Sequence, residues 1–192
     1  LDRLGVSSEH TLIDLGAGTG ALALEAAKRC RRVITVDVSS AMLAYIAARA
    51  KALRLDNVVG VNGGFLSYEH EGEPVDFILT KNAFHHLPDF WKVQALVRMR
   101  AILKQGGILH LQDLIFSFEP IDARSYIEAW LTTAPVDSAQ GWSRPELVTH
   151  VREEYSTYSW LMEPMLERVG FSIRDASYSQ SKIFAAYTCS KV

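Results

Sequence analysis

The sequence predicts an α/β fold built on a doubly wound, mostly parallel sheet of seven strands. Three observations support this. Between residues 11 and 116, five apolar runs with strand character alternate with helix-forming segments, as in right-handed βαβ units. A glycine-rich turn at residues 16–20 joins the first strand to the first helix. Near the end of the chain, two apolar runs are joined by so short a loop that they are expected to pair antiparallel.

The size and composition of the chain fit one domain, because 192 residues that are 48% hydrophobic can fill one core. The net charge is −2, and the basic run at 28–32 is interpreted as a solvated helix end, so no nucleic-acid partner is expected. Cys30 and Cys189 form no CxxC motif, which predicts neither a disulfide framework nor a metal site. There is no signal-peptide pattern and no apolar run of about 18 residues, so we expect a soluble, cytoplasmic protein without a membrane partner.

The first part of the chain predicts three strands separated by two helices. In order, these are a strand at 11–15, a helix at 20–30, a strand at 33–37, a helix at 41–54 and a strand at 58–61. The strands are short runs rich in β-branched residues, and the helices have apolar residues at helical spacing. Ser39 and Ser40 precede the second helix, where a hydroxyl side chain can cap the free N–H groups.

Two further strands and a long helix are predicted next. Residues 75–80 form the fourth strand, and Pro88 and Asp89 precede an amphipathic helix at 90–104. Gln-Gly-Gly at 105–107 is expected to end this helix and to lead into the fifth strand at 108–116.

The chain divides into three parts on this reading. Residues 1–118 make a cofactor-binding half, residues 119–170 a helical insertion on the substrate side, and residues 171–192 a closing hairpin with strands at 171–177 and 182–188. The insertion lacks a strong strand pattern, and Ser143-Arg144-Pro145-Glu146 is a capping box with proline early in the helix.

The ends of the first three strands predict an adenosine site. Glycine turns allow a ligand to approach the backbone, and Asp37 lies about 20 residues past Gly16, where a ribose placed by the turn would present its hydroxyls. Gly64 and Phe65 follow the third strand, where an adenine ring would lie. Because open α/β sheets bind ligands at the carboxyl edge, these residues are expected to share one site.

Two adenosine cofactors compete for this site. The glycine turn also fits the dinucleotide fingerprint, so an NAD(P)-dependent oxidoreductase is an alternative. Asp14, however, is a poor neighbour for a pyrophosphate and suits the positive charges of S-adenosylmethionine (AdoMet). The antiparallel hairpin also departs from the second half of a dinucleotide fold, so the sequence favours AdoMet. A non-catalytic AdoMet-binding module is a second alternative.

The ordered motifs resemble those of class I AdoMet-dependent methyltransferases, whose fold is Rossmann-like. They lie at 13–20, 36–39 with 42–43, 63–66, 76–87 and 103–111. The likeness is greatest to the small-molecule branch that includes ubiquinone/menaquinone-biosynthesis C-methyltransferases. The resemblance implies transfer of a methyl group from AdoMet to a small-molecule acceptor by direct displacement, and it allows a homodimer.

The resemblance also implies which residues bind the cofactor. These are Asp14, Gly16, Ala17, Gly18 and Thr19 around the methionine part, Asp37 on the ribose, Met42, Gly64 and Phe65 around adenine, and Lys81 after the fourth strand. Two residues are unusual for the family: Gly64 stands where Asp or Asn is usual, and Lys81 would lie near a cationic ligand.

Three residues are candidates for catalysis. His85 and His86 follow the fourth strand and could act as bases near neutral pH, and Asp113 in the fifth strand could orient an acceptor hydroxyl. Local capping and packing are the alternative roles. Aromatic residues are concentrated nearby, and we expect most in the core and one or two in an apolar acceptor pocket; they are Phe116, Phe118, Trp130, Trp142, Tyr155, Tyr158 and Trp160.

Overall fold

The computed structural model describes residues 1–135 and 141–192, and its main sheet has the predicted architecture. The strands and helices are β1 (Thr11–Leu15), α1 (Ala21–Ala27), β2 (Arg32–Asp37), α2 (Ser40–Ala52), β3 (Val58–Asn62), β4 (Val75–Lys81), α3 (Asp89–Ile102), β5 (Leu103–Phe116), α4 (Ala123–Leu131), α5 (Arg144–Glu153), β6 (Thr157–Tyr158), α6 (Ser159–Arg168), β7 (Phe171–Tyr178) and β8 (Phe184–Lys191). The order across the sheet is β3-β2-β1-β4-β5-β8-β7. The first five strands run parallel, and β8 is antiparallel to both neighbours. The predicted fold class is confirmed.

The central strand β1 is buried on both faces. Leu12 and Ile13 have no exposed surface, and they belong to different apolar clusters, one on each side of the sheet. Alternate residues of a strand point to opposite faces, so a strand covered on both sides needs a continuous apolar run. Burial of β1 fixes the position of the glycine turn that follows it.

The junction between α3 and β5 differs from the prediction. The helix ends at Ile102, and β5 begins at once with Leu103, so Gln-Gly-Gly at 105–107 lies within the strand. The β4–β5 register passes from Val75↔Leu103 to Phe77↔Ile108, which leaves extra residues on β5. Gly106 has a φ of 73°, and a glycine in the left-handed region permits such a bulge. The glycines therefore mark a bulge, not a helix end.

The helical insertion contains α4, α5, α6 and the two-residue strand β6, which pairs with β5. The predicted capping box at the start of α5 is present, because the Ser143 N–H donates to Glu146 Oε2 at 2.7 Å. Within residues 1–135 and 141–192, no helix has both the length and the apolar character that a membrane crossing requires.

Candidate functional site

The glycine turn after β1 depends on backbone conformations that suit glycine. Gly16, Gly18 and Gly20 have φ angles of 76°, 51° and 72°. A Cβ atom on Gly16 would lie 2.6 Å from Ala83 Cβ, whereas a Cβ atom on Gly18 would meet nothing within 4 Å. Gly16 therefore allows close packing against the chain after β4, and Gly18 faces open space.

Asp37 ties the end of β2 to the glycine turn. The Gly18 N–H donates to Asp37 Oδ2 at 2.8 Å, and the Ser39 N–H donates to Asp37 Oδ1 at 2.8 Å. An ionised carboxylate has about four acceptor positions, so these two bonds orient it and leave capacity for two hydroxyl donors. The oriented side chain can thus accept further hydrogen bonds from a ligand in the cavity.

A cavity of about 460 Å³ lies at the carboxyl edge of β1, β2, β3 and β4, and we call it the cofactor cavity. Five of the ten predicted cofactor residues line it, namely Gly16, Gly18, Asp37, Gly64 and Phe65. This volume is within the range of small-ligand sites. The structure therefore brings together the glycine turn, Asp37 and the Gly64–Phe65 pair in one cavity.

The other five predicted cofactor residues lie outside the lining of this cavity. Ala17 is half-buried in the turn, Thr19 is exposed, and Met42 is half-buried in the first turn of α2. Lys81 is exposed at the end of β4, and Asp14 is buried beneath the turn. A role for these five in cofactor binding stays a prediction.

The position of Asp14 has a physical explanation. Its side chain is only 2% exposed, and Oδ2 accepts from the Ala23 N–H of α1 at 3.1 Å. Burial, reinforced by the charge of nearby Asp37, raises its pKa from 3.8 to about 7, although the Ala23 bond opposes the shift. Near neutral pH the carboxyl group is therefore partly protonated.

Asp14 is expected to make stability depend on pH. Between pH 3.8 and about 7 the unfolded chain loses a proton that folded Asp14 keeps, so stability falls as the pH rises through this window. The contribution between about pH 5 and about pH 7 is about 2 kcal/mol. Asp14→Asn retains an acceptor for Ala23 but cannot titrate, so urea unfolding at both pH values should show a smaller loss in the variant. Equal losses in the two proteins would contradict the raised pKa.

Several residues of the cofactor cavity were not identified from the sequence. They are Val38, Gly63, Leu66, Ser67, Asn82, Ala83 and Leu87. Asn82 has a φ of 52°, a conformation that asparagine tolerates better than most residues. An asparagine directly after a buried strand was the available signal for this position. Ser67 Oγ accepts from the Gly64 N–H at 3.0 Å and places a hydroxyl beside the position that lacks the family's Asp or Asn.

The three predicted catalytic residues meet in one cluster. Asp113 is 1% exposed; its Oδ2 accepts from the Phe84 N–H at 2.6 Å, and its Oδ1 lies 2.5 Å from His85 Nδ1. His85 is 2% exposed, whereas the side chain of neighbouring His86 is 61% exposed and lines the cofactor cavity. Asp113 therefore fixes the turn after β4 and the ring of His85, while His86 reaches the cavity.

The insertion adds two residues that the sequence analysis missed. Glu154 Oε2 lies 2.9 Å from His85 Nε2, 3.0 Å from His86 Nδ1 and 3.3 Å from His150 Nδ1. We call these five residues, His85, His86, Asp113, His150 and Glu154, the histidine cluster. The spacing of His150 and Glu154, four residues apart at the end of α5, was the only local signal that they share a face.

An aromatic pocket of about 270 Å³ adjoins the cofactor cavity. Its lining includes Trp130, Trp142, Leu147 and Phe184, and it shares Asn82 with the cofactor cavity. The rings of Trp130 and Trp142 each lie 5.8 Å from the ring of His150. The histidine cluster therefore contacts both the pocket and the cavity.

Comparison with known proteins identifies the family. The sequence profile described as "Methyltransferase domain" matches residues 12–107, which is half of the chain. The chain belongs to the class I AdoMet-dependent methyltransferases. It is 27% identical over 184 residues to an uncharacterized methyltransferase of Geobacillus kaustophilus, covering 96% of this chain and 78% of the relative. An uncharacterized methyltransferase of Staphylococcus carnosus is 32% identical over 119 residues, covering 62% and 54%.

Solved structures agree on the fold of this methyltransferase. An AdoMet-dependent methyltransferase from Aquifex aeolicus has a TM-score of 0.69 at 19% identity, covering 100% of this chain and 87% of that chain. The cyclase SpnF has a TM-score of 0.74 at 15% identity, covering 99% and 77%. Because a cyclase shares the fold, these structural similarities show the architecture of the chain and not the reaction that it catalyses.

Family membership decides between the cofactors that the sequence left open. The methyltransferase uses AdoMet as its methyl donor, so the NAD(P) alternative is set aside. The cofactor cavity presents a glycine turn open to a ligand and a carboxylate oriented by a backbone N–H group.

Proposed function

We propose that this methyltransferase acts on a small, largely apolar acceptor that binds in the aromatic pocket. The observation that carries the proposal is Asn82, which lines both the aromatic pocket and the cofactor cavity. An acceptor in the pocket would therefore lie next to the methyl donor. Tryptophan and phenylalanine side chains in the lining favour a planar or lipophilic molecule.

We infer that AdoMet lies along the carboxyl edge of the sheet. Asp37 accepts from the ribose hydroxyls, Gly64 and Phe65 flank adenine, and the Ser67 hydroxyl replaces the missing side-chain contact at Gly64. The glycine turn holds the methionine part near Gly18. Asp14, Ala17, Thr19, Met42 and Lys81 remain proposed members of the outer part of this site.

The chemistry required of the protein is mainly alignment. The sulfonium already activates the methyl group, and holding acceptor, methyl and sulfur in line can lower the barrier by ~7–11 kcal/mol. His86 lines the cofactor cavity and is the proposed contact with the acceptor. His85 and Asp113 lie behind it and would act by positioning.

Other features of the activity are also proposals. A net charge of −2 gives no electrostatic reason to expect a nucleic-acid substrate. We also propose the division into a cofactor half (1–118), a substrate-side insertion (119–170) and a closing hairpin (171–192), in which α4 and α5 of the insertion would cover the acceptor. Cytoplasmic location, a homodimer and the likeness to the quinone-biosynthesis branch stay predictions.

The aromatic pocket can be tested with two exposed tryptophans. Trp142 lines the pocket and is 46% exposed, while Trp91 is 47% exposed on α3, so either can be replaced without emptying the core. A panel of phenols, amines and thiols is screened by the AdoHcy (S-adenosylhomocysteine) released from AdoMet. For an active acceptor, Trp142→Ala is expected to raise KM about tenfold, because an aromatic contact contributes about 1.5 kcal/mol.

Trp91→Ala is the matched control and is expected to leave KM unchanged. The AdoMet Kd, measured by calorimetry, should be unaffected in both variants. Equal effects of the two substitutions on KM would contradict the proposed acceptor pocket.

A further inference from the structure

We propose that the histidine cluster binds one divalent transition-metal ion of the Zn²⁺ class, with His85, His86 and Glu154 as protein ligands and one coordination position left open. His85 Nε2, His86 Nδ1 and Glu154 Oε2 all lie within 4.8 Å of one another. Imidazole nitrogen and carboxylate oxygen are typical zinc ligands, and this set needs no cysteine. Binding of the ion is independent of the proposed function, whereas its role toward the acceptor rests on it.

The distances within the cluster suit a tetrahedral ion. With zinc–ligand bonds of about 2.1 Å, two ligand atoms of a tetrahedral site lie about 3.4 Å apart. Glu154 Oε2 lies 2.9 Å from His85 Nε2 and 3.0 Å from His86 Nδ1. The side chain of His85 is nearly fully buried, whereas that of His86 is exposed.

The orientation of these groups argues against simple hydrogen bonding among them. Within the described residues, Glu154 Oε2 and His150 Nδ1 are buried polar atoms without a hydrogen-bond partner, even though they lie 3.3 Å apart. A buried polar atom left unpaired costs about 1–3 kcal/mol. An ion bound by Glu154 Oε2 would supply the partner that this buried atom lacks.

Asp113 supports His85 as a metal ligand. Both Asp113 oxygens accept backbone N–H bonds, and Oδ1 also lies 2.5 Å from His85 Nδ1. This contact leaves Nε2 as the ring atom directed at Glu154 Oε2, 2.9 Å away. A carboxylate behind a ligating histidine is the usual outer support of zinc sites.

His150 lies beside the proposed site. Its Nδ1 lies 3.3 Å from Glu154 Oε2, and its Nε2 pairs with Ser156 Oγ at 2.8 Å. Asp113 and Glu154 together balance the two charges of the ion.

The chain segment that carries Glu154 is held in place. The Tyr155 N–H donates to the His85 carbonyl at 2.9 Å, and buried Lys92 Nζ donates to the Tyr155 carbonyl. A metal here would lie between the aromatic pocket and the cofactor cavity. It could therefore bind an oxygen, nitrogen or sulfur lone pair of the acceptor and orient it toward the donor methyl group.

Metal binding is testable without any acceptor. Tag-free protein is stripped with a chelator and titrated with Zn²⁺ by calorimetry and with Co²⁺ by visible absorption. We expect one ion per chain with a Kd of about 1 µM or tighter, and a Co²⁺ spectrum typical of tetrahedral coordination. His86→Gln and Glu154→Gln should each weaken binding at least tenfold. His70→Gln is the control, because His70 pairs with Tyr68 outside the cluster, and it should bind as the wild type does.

His86→Gln keeps the test informative if a buried variant fails to fold, because His86 is largely exposed. Absence of stoichiometric binding to the wild type would overturn the proposal, as would binding that His86→Gln and Glu154→Gln leave unchanged. AdoMet affinity is measured on the same stripped protein. If the stripped protein binds AdoMet and turns over an acceptor but binds no metal, the metal proposal fails and the proposed function stands.

Discussion

Replacing Asp37 by alanine is expected to weaken AdoMet binding at least 100-fold. In the proposed complex the carboxylate accepts from two ribose hydroxyls, and each hydrogen bond to a charged group contributes about 1.5–3 kcal/mol. The variant also loses the bonds that Asp37 accepts from the Gly18 and Ser39 N–H groups. Calorimetric titration of AdoMet into the wild type and the variant measures the effect directly.

Two comparisons make this result specific. Asp37→Asn keeps one side-chain acceptor and is expected to fall between the wild type and the alanine variant. Asp56→Ala removes an exposed carboxylate next to the amino end of β3, far from the cofactor edge of that strand, and is expected to bind AdoMet normally. An unchanged Kd in Asp37→Ala would remove the central residue of the proposed cofactor site.

Gly16→Ala is expected to lower the stability of the fold by about 3 kcal/mol. Its φ of 76° costs an alanine about 1–2 kcal/mol, and the added Cβ would lie 2.6 Å from Ala83 Cβ, which adds an overpacking cost of about 1–3 kcal/mol. For a chain of this length, about 3 kcal/mol corresponds to a fall in Tm of about 6–12 °C. Urea unfolding and thermal unfolding both measure it.

Alanine substitutions at Gly18 and Gly5 distinguish the cost of backbone strain from the cost of overpacking. Both have positive φ, 51° and 68°, and a Cβ on either would meet nothing within 4 Å. Gly5→Ala and Gly18→Ala should therefore show only the backbone cost of about 1–2 kcal/mol. Gly18→Ala should also lose AdoMet affinity, because its methyl group would enter the cofactor cavity. A Gly16→Ala variant as stable as Gly5→Ala would show that Ala83 yields to the added methyl group.

The sequence predicted the order of elements well because apolar periodicity and capping are local properties. The Ser39 hydroxyl accepts from the Met42 N–H at 3.3 Å, as expected of the residue before α2. The same reasoning failed at 105–107, because a glycine pair is compatible both with a helix end and with a strand bulge. Pairing with β4 decided between them.

By itself, the sequence determined the α/β class, the glycine turn and the acid at the end of β2, because each depends on residue types at fixed short spacings. Only the tertiary structure decided what the acceptor side contains. Packing of the insertion over the end of β4 brings Glu154 and His150 to His85, residues that no local pattern connects. Packing also buries Asp14 under α1, where its carboxyl group is desolvated and pairs with Ala23. Contacts between distant segments depend on how whole elements pack. They therefore cannot be predicted from the apolar periodicity within one element.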